Sequence, residues 1–407
     1  MDREMKDSGI EWIGEIPIEW EIRKLKNVSE INSGEYISKE DYEVQGTFDI
    51  IGSNGKIGEI NKTNINKKVI TTGRVGSIGT SHIVRDVWVT DNALIIEAKK
   101  NILLEYLAYI IPMFQYEIIS TGTAQPLITA TILKNQYIPY SNLYNQQLIV
   151  DFLAEKVQKI SFMVLKIKET LKDYIKLKQA VITKAVTKGI RDSREIKDSQ
   201  SIWFGQIPSD WEMRKIKYIF RIQKDIAREE GHTVLSITQK GIRPKDLSKN
   251  EGQLAENYSN YQLVHIGDFA MNHMDLLTGW VDISKYEGVT SPDYRVFGLI
   301  DKDSYCSKYY LYLMQMCYTN HIFYGLGQGV SGLGRWRLQA DKFLNFSITV
   351  PSYEEQKEIA NYLDQKCSAI DELIAKKEQY LSEIENYKKS LIYEYVTGKK
   401  EVPCKAI

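Results

Sequence analysis

Two interleaved repeats run through this chain, and they fix its order before any local reading begins. Residues 7–26 read DSGIEWIGEIPIEWEIRKLK, and residues 198–217 read DSQSIWFGQIPSDWEMRKIK. At an offset of 191, Trp12 matches Trp203, Gly14 matches Gly205, Pro17 matches Pro208, Trp20 matches Trp211 and Arg23-Lys24 matches Arg214-Lys215. A second repeat pairs residues 146–187 with 356–397 at an offset of 210, setting Gln146 against Gln356, Phe152-Leu153 against Tyr362-Leu363 and Val186-Thr187 against Val396-Thr397. The segment between the two signatures is therefore 19 residues longer in the second copy. The order is variable, helical, variable, helical.

The helical segments carry the strongest periodicity. Leu153, Val157, Ile160, Val164, Ile167, Leu171, Tyr174, Val181 and Ala185 fall on one +4/+3 stripe, interrupted by Lys178. The second stripe is Leu363, Cys367, Ile370, Ile374, Leu381, Ile384, Leu391 and Tyr395, interrupted by Lys377 and Lys388. Seven-residue spacing makes a coiled-coil seam. Neither segment has a proline or an interior glycine, and Gly189 and Gly398 stand at the ends as stop signals. Ser352 is placed to cap the second helix, with Glu354 and Glu355 in its first turn. Each helix spans roughly 60 Å at about 1.5 Å per residue. A long helix cannot keep an apolar stripe in water, so the two stripes are each other's natural partners. Segment 146–188 has a net charge of +5 and segment 354–400 of −2, which does not oppose pairing.

The variable segments have another character. Phe48-Asp49-Ile50-Ile51-Gly52-Ser53-Asn54-Gly55 and Val69-Ile70-Thr71-Thr72-Gly73-Arg74 read as short β runs broken by glycine turns. So do the runs at 261–266 and 294–298. Short helices are expected at 101–119 and 308–318, and a loop at 325–334. The predicted fold class is α+β: two α/β domains alternate with two long helices that pair as an antiparallel coiled coil, in a tandem repeat with pseudo-twofold symmetry. The expected divisions are 1–145, 146–190, 191–353, 354–400 and a tail at 401–407.

Catalytic motifs are missing. No GxxxxGK[ST] phosphate loop occurs. Gly327-Gln328-Gly329-Val330-Ser331-Gly332 fits GxGxxG, but Arg335-Trp336-Arg337 follows where a dinucleotide site needs a helix. Ser291-Pro292-Asp293-Tyr294 resembles the (D/N/S)PP(Y/F) motif of amino-group DNA methyltransferases, but Asp293 replaces the second proline and no cofactor-binding half precedes it. Cys306, Cys317, Cys367 and Cys404 form no CxxC pair, and the five histidines show no metal-ligand spacing. The charge balance, 53 basic against 53 acidic residues, argues against a small, purely electrostatic nucleic-acid binder. It leaves room for basic groups segregated on one face. No apolar run is long enough to span a membrane, and residues 1–6 lead into no apolar stretch. A cytoplasmic protein is expected.

The twin W-x-G-x-I-P-x-x-W-x-x-[RK] openings resemble those of type I restriction-modification specificity subunits. The same holds for Gly52-Ser53-Asn54-Gly55-Lys56-Ile57-Gly58, Gly73-Arg74-Val75-Gly76-Ser77-Ile78-Gly79, His265-Ile266-Gly267-Asp268-Phe269 and the Pro351-x-x-Glu354-Glu355-Gln356 helix start. One departure is visible: Asn145-Gln146-Gln147 opens the first helix where the second has Glu354-Glu355-Gln356. The resemblance covers nearly the whole chain. It implies two target recognition domains, each reading one half of a split site in double-stranded DNA. It implies two modification (methyltransferase) subunits docked on this chain, with restriction (motor-nuclease) subunits joining them, and helices that set the distance between half-sites. It places S-adenosylmethionine, ATP and Mg2+ in the partners, leaving this chain without cofactor or catalysis.

Base edges are read by Arg, Lys, Asn, Gln and Ser. The candidates are Ser53, Asn54, Lys56, Arg74 and Ser77 in the first domain. In the second they are Asn272, His273, Gln328, Arg335 and Arg337, with Trp336 and Tyr294 stacking or packing. The alternative for each Gly-flanked polar residue is ordinary turn chemistry. Trp12, Trp20, Trp203 and Trp211 read as core or docking residues. Two other functions stay open: a coiled-coil scaffold with two protein-binding domains, and a free-standing DNA-binding regulator.

Overall fold

The computed structural model describes residues 3–122, 126–246, 257–329 and 336–403. Contacts divide the chain into two units: Met1–Lys168 with Glu378–Ile407, and Glu169–Lys377. These do not coincide with the segments drawn from sequence. Each unit takes one β-rich domain and a stretch of both long helices, because a helix buries its apolar face on whatever lies beside it.

The long helices are α1, Leu143–Lys188, and α2, Tyr353–Val396. The Ser352 cap is present: its Oγ accepts from Glu355 N at 3.3 Å. Its counterpart at offset 210 is Asn142, whose Oδ1 accepts from Asn145 N at 2.9 Å. That cap starts α1 three residues before the position the repeat alone indicated. Gly189 (φ +75°) and Gly398 (φ +72°) terminate the helices in the left-handed region that favours glycine.

The stripes are buried where expected, at Leu153, Ile160, Ile167 and Ala185 in α1 and at Leu363, Cys367, Ile370, Ile384, Leu391 and Tyr395 in α2. In the first unit the Phe152 and Tyr395 rings lie 4.5 Å apart, Lys388 Nζ donates to Ser161 Oγ at 3.0 Å, and Lys168 reaches Glu385 at 3.2 Å. In the second unit Lys178 Nζ holds both Asp371 oxygens at 2.7 Å. Rising numbers in α1 meet falling numbers in α2, so the pair is antiparallel. The polar interruptions Lys178 and Lys388 thus have polar partners on the facing helix, which is what lets them sit in an apolar seam.

The two β-rich domains share one plan. In the first, a four-stranded antiparallel sheet has the spatial order Ser29–Ser33, Ala93–Ala98, Val69–Gly73, His82–Val84. In the second the order is Phe220–Gln223, Arg295–Leu299, Phe269–Met271, Val281–Ile283. Each domain adds a hairpin, Phe48–Gly52 with Gly55–Ile60 and Leu235–Thr238 with Gly241–Pro244. Each also pairs the strand after its opening signature with the strand before its long helix: Glu21–Lys24 with Tyr137–Tyr140, and Glu212–Lys215 with Ser347–Val350. Most of the extra length in the second domain lies at 245–268, where the first domain has only 61–68; it includes the strand Gln262–Val264.

The short helices fall at Leu104–Ile110 and Tyr116–Ile119 in the first domain and at Ser307–Thr319 in the second. The stretch 325–334, expected to be all loop, is structured at its start. Gly325 and Leu326 end a helix at Ile322–Leu326, and Gln328–Gly329 pairs with Trp336–Arg337; residues 330–335 lie outside the described residues. The Trp336 indole stacks on Tyr324 and donates to its carbonyl at 2.6 Å, so tertiary packing overrides the glycine content. Among the described residues no helix is long and apolar enough to cross a membrane.

Candidate nucleic-acid interface

In the first domain four of the five candidates come together. Ser53 and Asn54 form the two-residue tip of the hairpin, between the paired Gly52 and Gly55. Arg74 and Ser77 lie in the connection that follows the strand Val69–Gly73. The two loops are tied by Thr80, whose Oγ1 donates to Ser53 O at 3.2 Å. They approach so closely that a Cβ at Gly73 would collide with the carbonyl oxygens of Ser53 and Ser77, which is why glycine stands there. Asn54 and Ser77 are exposed. Arg74 is half-buried: Nη1 donates to Asp91 O at 3.3 Å, and Nε has no partner. Lys56 differs. Its ammonium bridges Asp49 at 2.7 Å and Glu59 at 2.6 Å, hydrogen bonds that raise its pKa and cancel its charge locally.

In the second domain the same positions hold different side chains. Ile128 N donates to Arg74 O in the first domain, and Leu338 N donates to His273 O in the second, both at 2.9 Å. His273 thus occupies the place of Arg74. It is only 5% exposed, and burial, then Arg295 and Arg337, push its pKa down to about 3. The imidazole is buried, its Nδ1 has no hydrogen-bond partner among the described residues, and its backbone carbonyl holds the strand end at Leu338. Asn272 is likewise engaged, its Oδ1 accepting from Met274 N at 3.1 Å and Asp275 N at 3.2 Å to close a turn. Gln328 and Arg337 stand opposite each other on paired strands and are exposed. Arg335 lies outside the described residues. Trp336 and Tyr294 pack against their own domain.

The repeat marked Gln146 and Gln356, but sequence reading missed their role in fixing each domain on the helices. Gln146 is fully buried; its Oε1 accepts from Leu103 N at 2.9 Å and its Nε2 donates to Ser141 O at 2.7 Å. Gln356 does the same to Cys306 N at 2.8 Å and Pro351 O at 2.9 Å. The Tyr106 hydroxyl donates to Val396 O at 2.9 Å, and the Tyr309 hydroxyl to Val186 O at 3.2 Å. Each domain therefore grips the start of one long helix and the last turn of the other. The tyrosines align at an offset of 203, a signal too short to stand out in sequence.

The departure between Asn145 and Glu355 also has a structural meaning. Glu355 is buried, pairs with Arg194, and accepts from the Trp211 indole at 3.0 Å. Hydrogen bonding to Glu355 raises the Arg194 pKa, and Asp210 takes the same guanidinium at 2.6 Å. In the first unit Arg3 repeats Arg194 and pairs with Glu19, but the Trp20 indole nitrogen has no partner. Removing one member of a buried pair strands its partner. Glu355→Ala is expected to cost about 3 kcal/mol in denaturant unfolding. Glu355→Gln, which keeps an acceptor for Trp211, should cost visibly less. Equal, negligible losses would show that the cluster contributes nothing.

A family model for the type I restriction modification DNA specificity domain matches residues 17–173 and 208–386. The two stretches begin at Pro17 and Pro208, the same position of the repeat, and together cover more than half of the chain. The chain belongs to the type I restriction-modification specificity family. Among curated relatives, the type I restriction enzyme MjaVIII specificity subunit of Methanocaldococcus jannaschii is 27% identical over 69% of this chain and 66% of its own length. The putative type I restriction enzyme MjaX specificity subunit of the same organism is 24% identical over 96% of both chains. A solved structure on complex assembly and conformational transition of the type I R-M system contains a chain with the same fold. Its TM-score is 0.64 at 13% identity, over 95% of this chain and 99% of that one. Members of this family carry specificity domains, and here each repeat supplies one.

Proposed function

We propose that this chain is the sequence-reading subunit of a type I restriction-modification complex. Each domain reads one half of an asymmetric, bipartite site in double-stranded DNA. The observation that carries this is the pair of specificity-domain matches beginning at equivalent prolines, with different side chains on the equivalent loops. Arg74 against His273, and Ser53-Asn54 against Gln239-Lys240, give the two domains different hydrogen-bonding surfaces on one scaffold. Equal surfaces would read a palindrome.

Two modification subunits dock on the helix-bearing faces, and restriction subunits join for cleavage. Exposed Phe162 and Leu165 in the first unit, and Ile175 and Leu177 in the second, support such docking, since apolar side chains in water mark interaction surfaces. S-adenosylmethionine, ATP and Mg2+ belong to the partners in this reading, and the complex works in the cytoplasm, where the DNA is. Among the described residues no group of three or more His, Cys, Asp or Glu is placed to hold a metal.

The chain reconstituted with its modification subunits should methylate one bipartite sequence, and the chain alone should transfer no methyl group from a labelled donor. A scaffold would show no DNA affinity with any partner. A regulator would bind tightly and specifically by itself.

Within this function Arg74 is the most favourable single probe. Its backbone bonds survive truncation, and its half-buried guanidinium makes one hydrogen bond among the described residues, from Nη1 to Asp91 O, with the buried Nε unpartnered. Arg74→Ala should weaken cognate binding by about 1–3 kcal/mol and relax preference in one half-site only. The same is expected of Arg335→Ala in the other half. A uniform loss on all sequences would mark phosphate contacts instead.

A further inference from the structure

The hairpin Leu235–Thr238 with Gly241–Pro244 stands in the second domain where Phe48–Gly52 with Gly55–Ile60 stands in the first. Its tip is Gln239-Lys240, between the paired Thr238 and Gly241, as Ser53-Asn54 lies between Gly52 and Gly55. Gly241 (φ +94°) and Gly55 (φ +101°) end the two turns in the same left-handed conformation. In the first domain the hairpin is tied through Thr80 to the 74–81 connection. In the second, Gln239 Nε2 donates to Thr278 O at 3.2 Å, tying it to the equivalent 272–280 connection. The two tips therefore hold one place in one plan.

Their chemistry differs. In the first hairpin the cation Lys56 is paired with Asp49 and Glu59. In the second, Lys240 and Arg243 are exposed and neither pairs with a carboxylate among the described residues. The Gln239 amide nitrogen is committed to Thr278, which leaves its carbonyl oxygen as an acceptor. A two-stranded ribbon fits the major groove of B-form DNA. A Lys ammonium matches guanine O6 and N7, and an amide oxygen accepts from the exocyclic amine of adenine or cytosine.

We infer that the Gln239-Lys240 hairpin tip is a specificity-determining element of the second domain, with Lys240 selecting a guanine in the major groove. This rests on the reading of the chain as a bipartite DNA reader. The connection 272–280 positions the tip through the Gln239–Thr278 hydrogen bond, and the buried Arg295 donates to Leu338 O at 2.9 Å.

The test uses the full chain reconstituted with its modification subunits and a randomised duplex DNA library selected by binding. Lys240→Ala should lower the preference for guanine at one position of one half-site by about tenfold and leave the other half-site unchanged. Lys240→Arg should retain that preference. The Lys240 side chain is exposed and forms no ion pair with a described carboxylate, and its backbone bond to Thr238 Oγ1 does not depend on the side chain, so truncation spares the domain. An unchanged selection profile, or an equal loss on every sequence, overturns the inference while leaving the bipartite reading in place. If the wild-type complex selects no bipartite site, both fall together.

Discussion

Replacing residues 27–143 with the matching segment of a relative is expected to rewrite one half of the target outright and leave the other half untouched. The exchanged segment contains the first four-stranded sheet, the Ser53-Asn54 tip and the 74–81 connection, all within the first unit. Each mismatched base pair costs about 1–3 kcal/mol, so a domain that reads several pairs changes its preference by orders of magnitude. The structure adds a condition. The incoming segment must keep a tyrosine at the place of Tyr106, which holds Val396 O, and a cap at the place of Asn142. Its final strand must also still pair with Glu21–Lys24. With those kept, sequencing of methylated sites should return a hybrid site with one old half. A swap that altered both halves together would end the modular reading.

What sequence made legible follows from what each feature depends on. The helices were readable to within a few residues because a seam needs only periodicity, and periodicity survives without knowledge of the partner. The pairing of Lys178 with Asp371 could not be read, since it depends on the register between helices nearly 200 positions apart. The twin opening signatures were visible because their tryptophans and prolines pack locally; Trp20 and Trp211 are indeed buried. The repeat reaches further than the matched words, to Arg3 and Arg194, but a lone arginine is no signal until both are seen to pair beside those indoles.

The candidate interface was half legible. Glycine turns located Ser53, Asn54, Arg74 and Ser77 because tight loops need glycine at fixed places, whatever the loop then does. The same reasoning did not foresee the burial of His273. A polar residue near a turn looks exposed in sequence, yet this side chain is buried and its backbone is held by Leu338, 65 positions later. Gln239 and Lys240 were passed over for the opposite reason. One glycine marks their turn, and their equivalence to Ser53 and Asn54 is topological rather than written in letters.

The helix pair should measure the DNA between the half-sites, and the structure changes how that must be tested. Both long helices run from one unit into the other, α1 across Lys168 and α2 across Lys377. Lengthening α1 alone would set its seam out of register with α2, breaking contacts such as Lys178 with Asp371 or Lys388 with Ser161. Inserting seven residues into both helices, after Lys168 and after Lys377, preserves the heptad. A heptad adds about 10.5 Å of helix and leaves the faces rotated by only about 20°. At about 3.4 Å per step that length corresponds to about three base pairs. The double-insertion protein should therefore methylate sites with a spacer about three base pairs longer, with both half-site sequences unchanged, because each domain keeps its grip on its own helix ends through Gln146, Gln356, Tyr106 and Tyr309. The single insertion into α1 should lose stability and shift no spacer cleanly. Genome-wide mapping of methylated sites in cells carrying each variant with its partner subunits reads both outcomes. A double-insertion protein with full activity on the original spacer would show that the helices join the domains without setting their distance on DNA.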